Sequence, residues 1–246
     1  MIVKAFLAVR LGSSRVPFKN FRILGGKPLY EHLADTVLTV KGIDDLFINS
    51  DSEIVISLAR EKYSTTMKYY LRPADLGTSA TALDDYVYDF MINNPSDVTL
   101  FLNPCSLFLK KESIERAIKY FLSSDLDSCV ASGVHQTHCF YENEPINFTF
   151  ETRQPRSQDL CSVHAMTSGF FLWKNDCFIK TFEKLGYANF CGKFESFPVS
   201  QIEAIDIDEE EDVNFARRML QDKDPFSVEF LPKIQQLIDS DKIRTN

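Results

Sequence analysis

The fold is indicated first by the stretch IVKAFLAVRLGSSRVPFKN, residues 2–20. Its opening eight residues form a short apolar run that is typical of a buried strand, and this run ends at Arg10, where a loop rich in glycine and serine begins. The loop after the first strand of an α/β sheet often holds phosphate, which is bound by backbone N–H groups and nearby cations. The stretch therefore predicts a first strand followed by an anion-binding loop.

The charge of this N-terminal region differs from that of the rest of the chain. Six of the 27 cations and none of the 35 acids precede Glu31, although the whole chain has a formal net charge of −8. These cations are Lys4, Arg10, Arg15, Lys19, Arg22 and Lys27. An acidic chain is a poor candidate for general nucleic-acid binding and gives no reason to expect an anionic membrane as partner. A basic patch this local predicts a bound anion, and the alternative is a solvated basic loop.

Patterns of strand and helix alternate along the chain after this loop. The predicted strands cover residues 44–50, 67–71, 98–103, 127–134, 168–175 and 194–208. The predicted helices cover residues 28–40, 53–63, 81–92, 110–122 and 209–220, with a further amphipathic candidate at 228–239. This alternation predicts an α/β fold with a mostly parallel open sheet. In such sheets the ligand lies outside the carboxyl ends of the strands.

The alternation stops between residues 135 and 167. This segment is polar, contains two prolines and shows only short β-prone pieces. It is too long for a simple connection within a compact domain. We therefore expect residues 1–246 to form a single domain with an inserted arm at about 135–167.

Two common phosphate-binding motifs are absent from the N-terminal region. A Walker A loop requires GxxxxGK, but the residue at the first glycine position before Gly26-Lys27 is Phe21. The dinucleotide-binding pattern GxGxxG does not occur. The basic loop, if it binds phosphate, must do so by another arrangement.

A pair of acidic residues near the end of the pattern predicts a metal site. The segment AIDIDEEED, residues 204–212, places Asp206 and Asp208 two positions apart, which would put both on one face of a strand. Two carboxylates side by side suit Mg²⁺, which takes one or two carboxylates together with substrate phosphates. The alternative is a helix start, with Asp208 as the N-cap and Glu211 completing a capping box. Both interpretations can hold together.

Six segments, taken in order, carry a resemblance to one known family. They are AVRLGSSRVPFKN with GGKPLYEH, FINSDSEIVISLAREKY, LRPADLGTSATALDDYV, LFLNPCSLFLKKESIERAI, QDLCSVHAMTSGFFLW and IDIDEEEDVNFA. Together they span residues 2 to about 219 and resemble the signature of the acylneuraminate cytidylyltransferases, which make CMP-activated sugar acids. The resemblance implies a Rossmann-like nucleotidyltransferase fold with a dimerisation arm, CTP and Mg²⁺ as ligands, and transfer of CMP to a hydroxyl of a nonulosonic, sialic-acid-like acid with release of pyrophosphate.

The resemblance also implies roles for individual residues. Arg10 and Lys19 would bind the triphosphate with help from Arg15, and Asp208 would hold Mg²⁺ together with Asp206. Other contacts to the nucleotide would come from Leu11, Gly12, Ser13, Ser14, Asn20, Thr81 and Asn103. The acceptor would be bound by Arg156, Gln158 and Ser168, the first two reaching a neighbouring subunit through the arm of a homodimer.

Three positions depart from the family pattern. Ser14 stands where a lysine is usual, Asn103 replaces the glutamine that reads cytosine, and Ser168 replaces an asparagine. These departures leave open another anionic acceptor, such as an octulosonic acid or a phosphonate. They also leave open a catalytically weak nucleotide-binding protein.

The cysteines and the apolar runs indicate a compartment. The six cysteines are scattered without a CxxC pair, a usage that fits reduced thiols in a cytoplasmic protein. No apolar run approaches the roughly 18 residues that a spanning helix needs. The N-terminal apolar run is too short for a signal peptide and has no cleavage pattern.

Overall fold

The computed structural model describes residues 1–222 and 228–240. Within these residues the strands are β1 (Val3–Ala8), β2 (Ile23–Leu24), β3 (Lys27–Pro28), β4 (Asp45–Ser50), β5 (Lys68–Leu71), β6 (Val98–Leu102), β7 (Ser128–His135), β8 (Phe140–Tyr141), β9 (Glu144–Pro145), β10 (Val163–Lys174) and β11 (Phe194–Val199). The helices are α1 (Leu29–Val37), α2 (Glu53–Tyr63), α3 (Leu83–Asn93), α4 (Lys111–Ser123), α5 (Asn175–Leu185), α6 (Glu210–Met219) and α7 (Pro232–Asp239). Short 3₁₀ turns lie at Lys19–Phe21, Ala74–Gly77 and Ser157–Asp159.

Seven of the strands form one sheet in the order β11-β7-β10-β6-β1-β4-β5. All neighbouring pairs are parallel except those of β10, which runs antiparallel to both β6 and β7. The predicted α/β class with a mostly parallel open sheet is therefore confirmed. β1 lies between β6 and β4, so the loop after β1 emerges at the middle of the sheet, where an open α/β sheet commonly binds its ligand.

Helices cover both faces of the sheet because the central strands are apolar on both sides. Successive residues of β1 point to opposite faces, so that Leu7 packs in a cluster with side chains of α1, α2 and α4. Phe6 packs on the other face, in an aromatic cluster with α3 and α5. The Phe6 ring contacts that of Phe90 in α3, with centroids 4.4 Å apart. This two-sided burial makes the sheet a rigid platform for the loops at its edge.

Outside the arm, the structure differs from the sequence-based expectation in three places. Helix α5 was not predicted, although its last residue is followed by Gly186 in the left-handed conformation that commonly ends a helix. The strand expected over 194–208 ends at Val199, so Asp206 and Asp208 do not lie on a strand face. Helix α6 has Glu209 as its N-cap, with Asp212 accepting from the backbone N–H groups of Asp208 and Glu209, so the expected cap at Asp208 was wrong by one residue.

The inserted arm is shorter than predicted. β7 extends to His135 and β10 already begins at Val163, and these two residues pair with each other at the base of the arm. Residues 163–167, which the sequence assigned to the arm, thus belong to a sheet strand. The arm itself carries the small hairpin β8–β9 and the turn Ser157–Asp159.

Part of the N-terminal basic charge has a structural role. The buried guanidinium of Arg22 pairs with Glu210 at the start of α6 and lies over the ring of Phe230, 5.4 Å from its centroid. Lys27 pairs with Asp35 in α1. These contacts hold α6 and α1 beside the basic loop, so the charges of Arg22 and Lys27 are paired within the protein.

The helices of the described residues are 8 to 13 residues long. Within the residues that the structure describes, none is both long enough and apolar enough to cross a membrane.

Candidate active site

Two adjoining cavities open at the carboxyl ends of β1 and β6. The central cavity, of about 360 Å³, is lined by the basic loop, the segment after β5, the end of β6, part of β10 and Asp208. The outer cavity, of about 680 Å³, is lined by the basic loop, the start of α2 and the turn at 74–79. The two cavities share Arg10, Ser13, Gly77, Thr78 and Ser79. Together they form one polar cleft of the size of a nucleotide site.

Most residues predicted for the nucleotide lie in this cleft. The central cavity is lined by Arg10, Ser13, Lys19, Asn20, Thr81, Asn103, Ser168 and Asp208. The outer cavity adds Leu11, Gly12 and Ser14. A side chain at Gly12 would meet nothing within 4 Å, so its backbone faces open space. The loop thus brings its backbone and the cations Arg10 and Lys19 to the same cleft, as binding of an anion requires.

Lys19 is the cation most firmly held at the cavity. It is buried, and its ammonium donates to the backbone oxygen of Ile207 and to Oδ1 of Asp208 at 3.0 Å. Burial opposes the charge, but the neighbouring Cys105 and Asp208 raise the pKa of Lys19 above its ordinary value. Lys19 is therefore a fixed positive charge at neutral pH.

Asp208 accepts from two cations at one of its oxygens. Arg15 reaches Oδ1 at 2.8 Å, on the same atom that Lys19 contacts. Burial would raise the pKa of Asp208, but Lys19 and Arg15 outweigh burial and lower it. The carboxylate is thus ionised at neutral pH. Among the described residues, both of its ion pairs are made by Oδ1, and Oδ2 takes part in neither.

Asp206 lies behind Asp208 in a different environment. Its Oδ2 accepts from the hydroxyl of Ser168 and from Nδ2 of Asn103 at 3.4 Å. Its Oδ1 is buried and has no hydrogen-bond partner in the described part of the chain. Burial raises the pKa of Asp206, and the hydrogen bond from Ser168 partly opposes this. A buried carboxylate oxygen without a donor is the atom that a cation would satisfy.

The other polar side chains predicted for the nucleotide differ in how far their hydrogen bonds are already used. No hydrogen bond or ion pair is made by the Arg10 guanidinium within residues 1–222 and 228–240. Asn20 donates to the backbone oxygen of Arg10 at 3.0 Å, while its own Oδ1 is buried without a partner. Thr81 is occupied by the backbone oxygen of Asp75.

The structure adds Arg72 to the cavity wall, a residue that the sequence did not single out. Its buried guanidinium donates to Asn49 and Asp51, each at 3.3 Å, and lies 4.8 Å from the centroid of the Tyr86 ring. Burial lowers the pKa of Arg72. Its Nε has no partner in the described part of the chain. The segment LRPADL contained this residue, but sequence alone gave no sign that its side chain is buried at the cavity.

Gly77 allows the turn after β5 to pack closely against Asp51. A Cβ at Gly77 would lie 2.4 Å from the Asp51 carboxylate. Only glycine therefore allows this turn to approach Asp51, which in turn holds Arg72.

The two acceptor residues predicted on the arm lie outside the cleft. Arg156 is exposed and pairs with Asp159 three residues on, at 2.8 Å. The backbone oxygen of Gln158 accepts from Gln136. Neither residue lines either cavity. Within one chain, the cleft is formed without them.

Comparison with known proteins adds a family to this geometry. Cations and a carboxylate meet at the carboxyl ends of a mostly parallel sheet, where open α/β proteins commonly bind their ligands. The family model described as cytidylyltransferase matches residues 3–170. The chain belongs to the cytidylyltransferase family.

Individual relatives agree with this assignment. The chain is 31% identical over 124 residues to the CMP-N,N'-diacetyllegionaminic acid synthase of Legionella pneumophila subsp. pneumophila, a match that covers 48% of this chain and 53% of that protein. It is 24% identical over 215 residues to the N-acylneuraminate cytidylyltransferase of Streptococcus agalactiae serotype V, covering 84% of this chain and 50% of that protein. The chain thus spans about half the length of these curated relatives.

A solved structure supports the fold. The CMP:2-keto-3-deoxy-manno-octonic acid synthetase complexed with CTP superimposes with a TM-score of 0.67 at 13% identity, covering 90% of this chain and 99% of that chain. At this identity the likeness concerns the fold alone.

Proposed function

We propose that this protein transfers CMP from CTP to a hydroxyl of a nonulosonic, sialic-acid-like sugar acid and releases pyrophosphate. The observation that carries the proposal is the meeting of Arg10, Lys19 and Asp208 in one cavity of a cytidylyltransferase-family chain. Relatives named for legionaminic and acylneuraminic acids favour a nine-carbon acceptor.

The basic loop is the site proposed for the triphosphate. The Arg10 guanidinium can form bidentate bonds with phosphate oxygens, and the Lys19 ammonium contributes a point charge. Phosphoryl-transfer enzymes act mainly by positioning and by neutralising charge. In the reaction the acceptor hydroxyl loses its proton to water, and its oxygen bonds to the α-phosphorus while the bond from that phosphorus to the bridging oxygen breaks. The electron pair leaves on pyrophosphate, which Arg10 and Lys19 would stabilise.

Asp206 and Asp208 fit a divalent cation. Asp206 presents a buried oxygen without a donor, and Asp208 keeps Oδ2 outside its two ion pairs. In the described part of the chain no group of three or more histidine, cysteine or acidic residues gathers, so two carboxylates are what this site offers. Mg²⁺ commonly takes one or two carboxylates and completes its shell with waters and substrate phosphates. When bound, Mg²⁺ would lower the pKa of the acceptor hydroxyl and screen the charge that develops.

The segment after β5 is proposed to bind the base and the ribose. Arg72 lines the central cavity, and a carbonyl of the base would accept from its guanidinium. Thr81 and Asn20 line the same cavity. We expect a preference for CTP over UTP and the purine triphosphates.

A homodimer is proposed through the arm. Phe140 and Phe150 are 54% and 66% exposed, and their rings contact that of Phe148 to form an aromatic cluster on the arm. A chain does not usually leave such a contiguous apolar surface in water unless a partner covers it. A second copy would also bring Arg156 and Gln158 to an acceptor site that one chain leaves without them.

A cytoplasmic location is proposed from the thiols. All six cysteines are free, and three of them are buried. Unpaired cysteines are typical of proteins in a reducing compartment.

Measurement of pyrophosphate release tests the proposed reaction. Each of CTP, UTP, ATP and GTP would be incubated with Mg²⁺ and a panel of nonulosonic acids, octulosonic acids and phosphonates, with EDTA as the control for the metal. We expect release from CTP with a nonulosonic acid, and none in EDTA. Equal turnover of ATP or GTP would contradict the nucleotide assignment. Turnover with only an octulosonic acid or a phosphonate would contradict the proposal that the acceptor is a nonulosonic acid. Binding of CTP without turnover of any acceptor would indicate a nucleotide-binding protein.

A further inference from the structure

Three side chains form a hydrogen-bonded chain at the wall of the central cavity. Nδ2 of Asn103 donates to Oγ of Ser168 at 2.8 Å, and the Ser168 hydroxyl donates in turn to Oδ2 of Asp206. A second, longer contact of 3.4 Å joins Nδ2 of Asn103 to the same Asp206 oxygen. Asp206 is thus held by two donors at one of its two oxygens.

The sheet brings these residues together. Asn103 follows β6 directly, and its backbone N–H donates to the backbone oxygen of Gly169 in β10. Ser168 lies where the pairing of β10 with β7 changes register, between Met166 and Phe171. Irregularities of this kind re-aim side chains next to active sites. Here the irregularity turns the Ser168 hydroxyl toward Asp206.

The hydrogen bonds of Asn103 and Ser168 converge on Asp206. One N–H of the Asn103 amide is shared between Ser168 and, at longer range, Asp206, while its Oδ1 accepts from the backbone N–H of Cys105 at 3.1 Å. Ser168 has a single hydroxyl proton, which it gives to Asp206. Donation from the Ser168 hydroxyl to an acceptor substrate would require its bond to Asp206 to break.

The other oxygen of Asp206 is left without a donor. Oδ1 is buried and has no hydrogen-bond partner among the described residues, while Oδ2 accepts both bonds. A carboxylate whose second oxygen is fixed by hydrogen bonds is the usual arrangement of a metal ligand, because these bonds set its orientation.

We propose that Ser168 and Asn103 are positioning residues that hold Oδ2 of Asp206 and thereby aim its Oδ1 at a divalent cation. The inference rests on the metal site of the proposed function and changes the roles that the sequence suggested for these two residues. They act on the substrates through Asp206 rather than by contact.

Binding of Mn²⁺ without nucleotide or sugar acid tests this inference. It is measured as the decrease in the electron paramagnetic resonance signal of free Mn²⁺. The variants are Ser168→Ala, which removes the donor, and Ser168→Thr, which keeps it. Thr167→Val is a matched control, since the Thr167 hydroxyl lies next in sequence but contacts the backbone oxygen of Ala131 and not Asp206. Asp206→Asn tests the metal ligand itself, and thermal unfolding of every variant checks the fold.

We expect Ser168→Ala to raise the Mn²⁺ dissociation constant about 10-fold or more, as loss of a hydrogen bond to a metal ligand does. Ser168→Thr and Thr167→Val should bind Mn²⁺ like the parent. In turnover, Ser168→Ala should require more Mg²⁺ for half-maximal rate, with the KM values for CTP and sugar acid unchanged.

Three results would contradict the inference, and each has a different consequence for the proposed function. If Asp206→Asn weakens Mn²⁺ binding and Ser168→Ala does not, the inference fails and the proposed metal site stands. If neither variant weakens it, the metal site of the proposed function fails as well. A Ser168→Ala protein with normal Mn²⁺ binding and a raised KM for the sugar acid would place Ser168 in contact with the acceptor.

Discussion

Lys19 Nζ lies 3.0 Å from Oδ1 of Asp208, and this ion pair joins the first basic loop to a segment almost 190 positions later in the chain. Because Lys19 is buried and Arg15 approaches the same oxygen, the carboxylate is oriented before any nucleotide binds. A triphosphate entering the cleft would share these cations with Asp208. The pair thus couples the proposed phosphate site to the proposed metal site.

Replacement of Asp208 by asparagine should separate structure from chemistry. The N-terminus of α6 is capped by Glu209 and Asp212 rather than by the Asp208 side chain, so Asp208→Asn should keep the helix cap and lower the melting temperature only through the weaker bonds from Lys19 and Arg15. Loss of a metal-binding carboxylate should lower Mg²⁺-dependent pyrophosphate release by about 100-fold or more, which corresponds to about 2.7 kcal/mol. Glu211→Gln, an exposed change in the first turn of α6, is the control and should keep the parent rate. Normal turnover by Asp208→Asn would show that the metal assignment is wrong.

Removal of the Lys19 ammonium should affect both binding and stability. Lys19→Ala deletes a buried charge that donates to Ile207 and Asp208, and charge-assisted bonds of this kind contribute about 1.5–3 kcal/mol. We expect kcat/KM for CTP to fall by roughly one to two orders of magnitude and the melting temperature to fall measurably. Lys27→Ala is a matched control, because Lys27 pairs with Asp35 away from the cleft. A Lys19→Ala protein with parent CTP kinetics would remove Lys19 from the triphosphate site.

The proposed dimer depends on the aromatic cluster of the arm. The double variant Phe140→Ser, Phe150→Ser removes two exposed rings and should give a monomer by sedimentation velocity at micromolar concentration, where the parent should sediment as a dimer. Tyr187→Ser removes an equally exposed ring from the surface after α5 and should leave the dimer intact. A parent protein that sediments as a monomer with full activity would rule out the arm as a dimer interface.

The sequence predicted the framework of this molecule better than the geometry of its site. Apolar runs such as β1 and β6 are buried on both faces, so their composition alone identifies them as central strands. The spacing of Asp206 and Asp208 identified them in the sequence. Their positions, however, depend on an irregular segment that is held by hydrogen bonds from Lys19 and Ser168, which are distant in the chain. Arg72 was missed for the same reason, since a cation is expected at the surface until its partners Asn49, Asp51 and Tyr86 are seen.

The thiol of Cys105 should report on the state of the cleft. Burial raises the pKa of Cys105 to about 11, although the nearby Lys19 charge lowers it in part, so the residue is a neutral thiol at pH 7.5. Only the thiolate reacts with iodoacetamide, and Cys105 is also sterically covered, so exposed Cys161 should be alkylated first. Peptide mass spectrometry would follow both residues with time.

The labelling rate of Cys105 should rise as pH approaches 11, because the thiolate fraction grows. At any one pH, saturating CTP should lower this rate, because Cys105 lines the central cavity. If Cys105 were labelled as fast as Cys161 at pH 7.5, the buried position of this residue would be wrong. If CTP left its labelling unchanged at every pH, the nucleotide would have to bind elsewhere in the molecule.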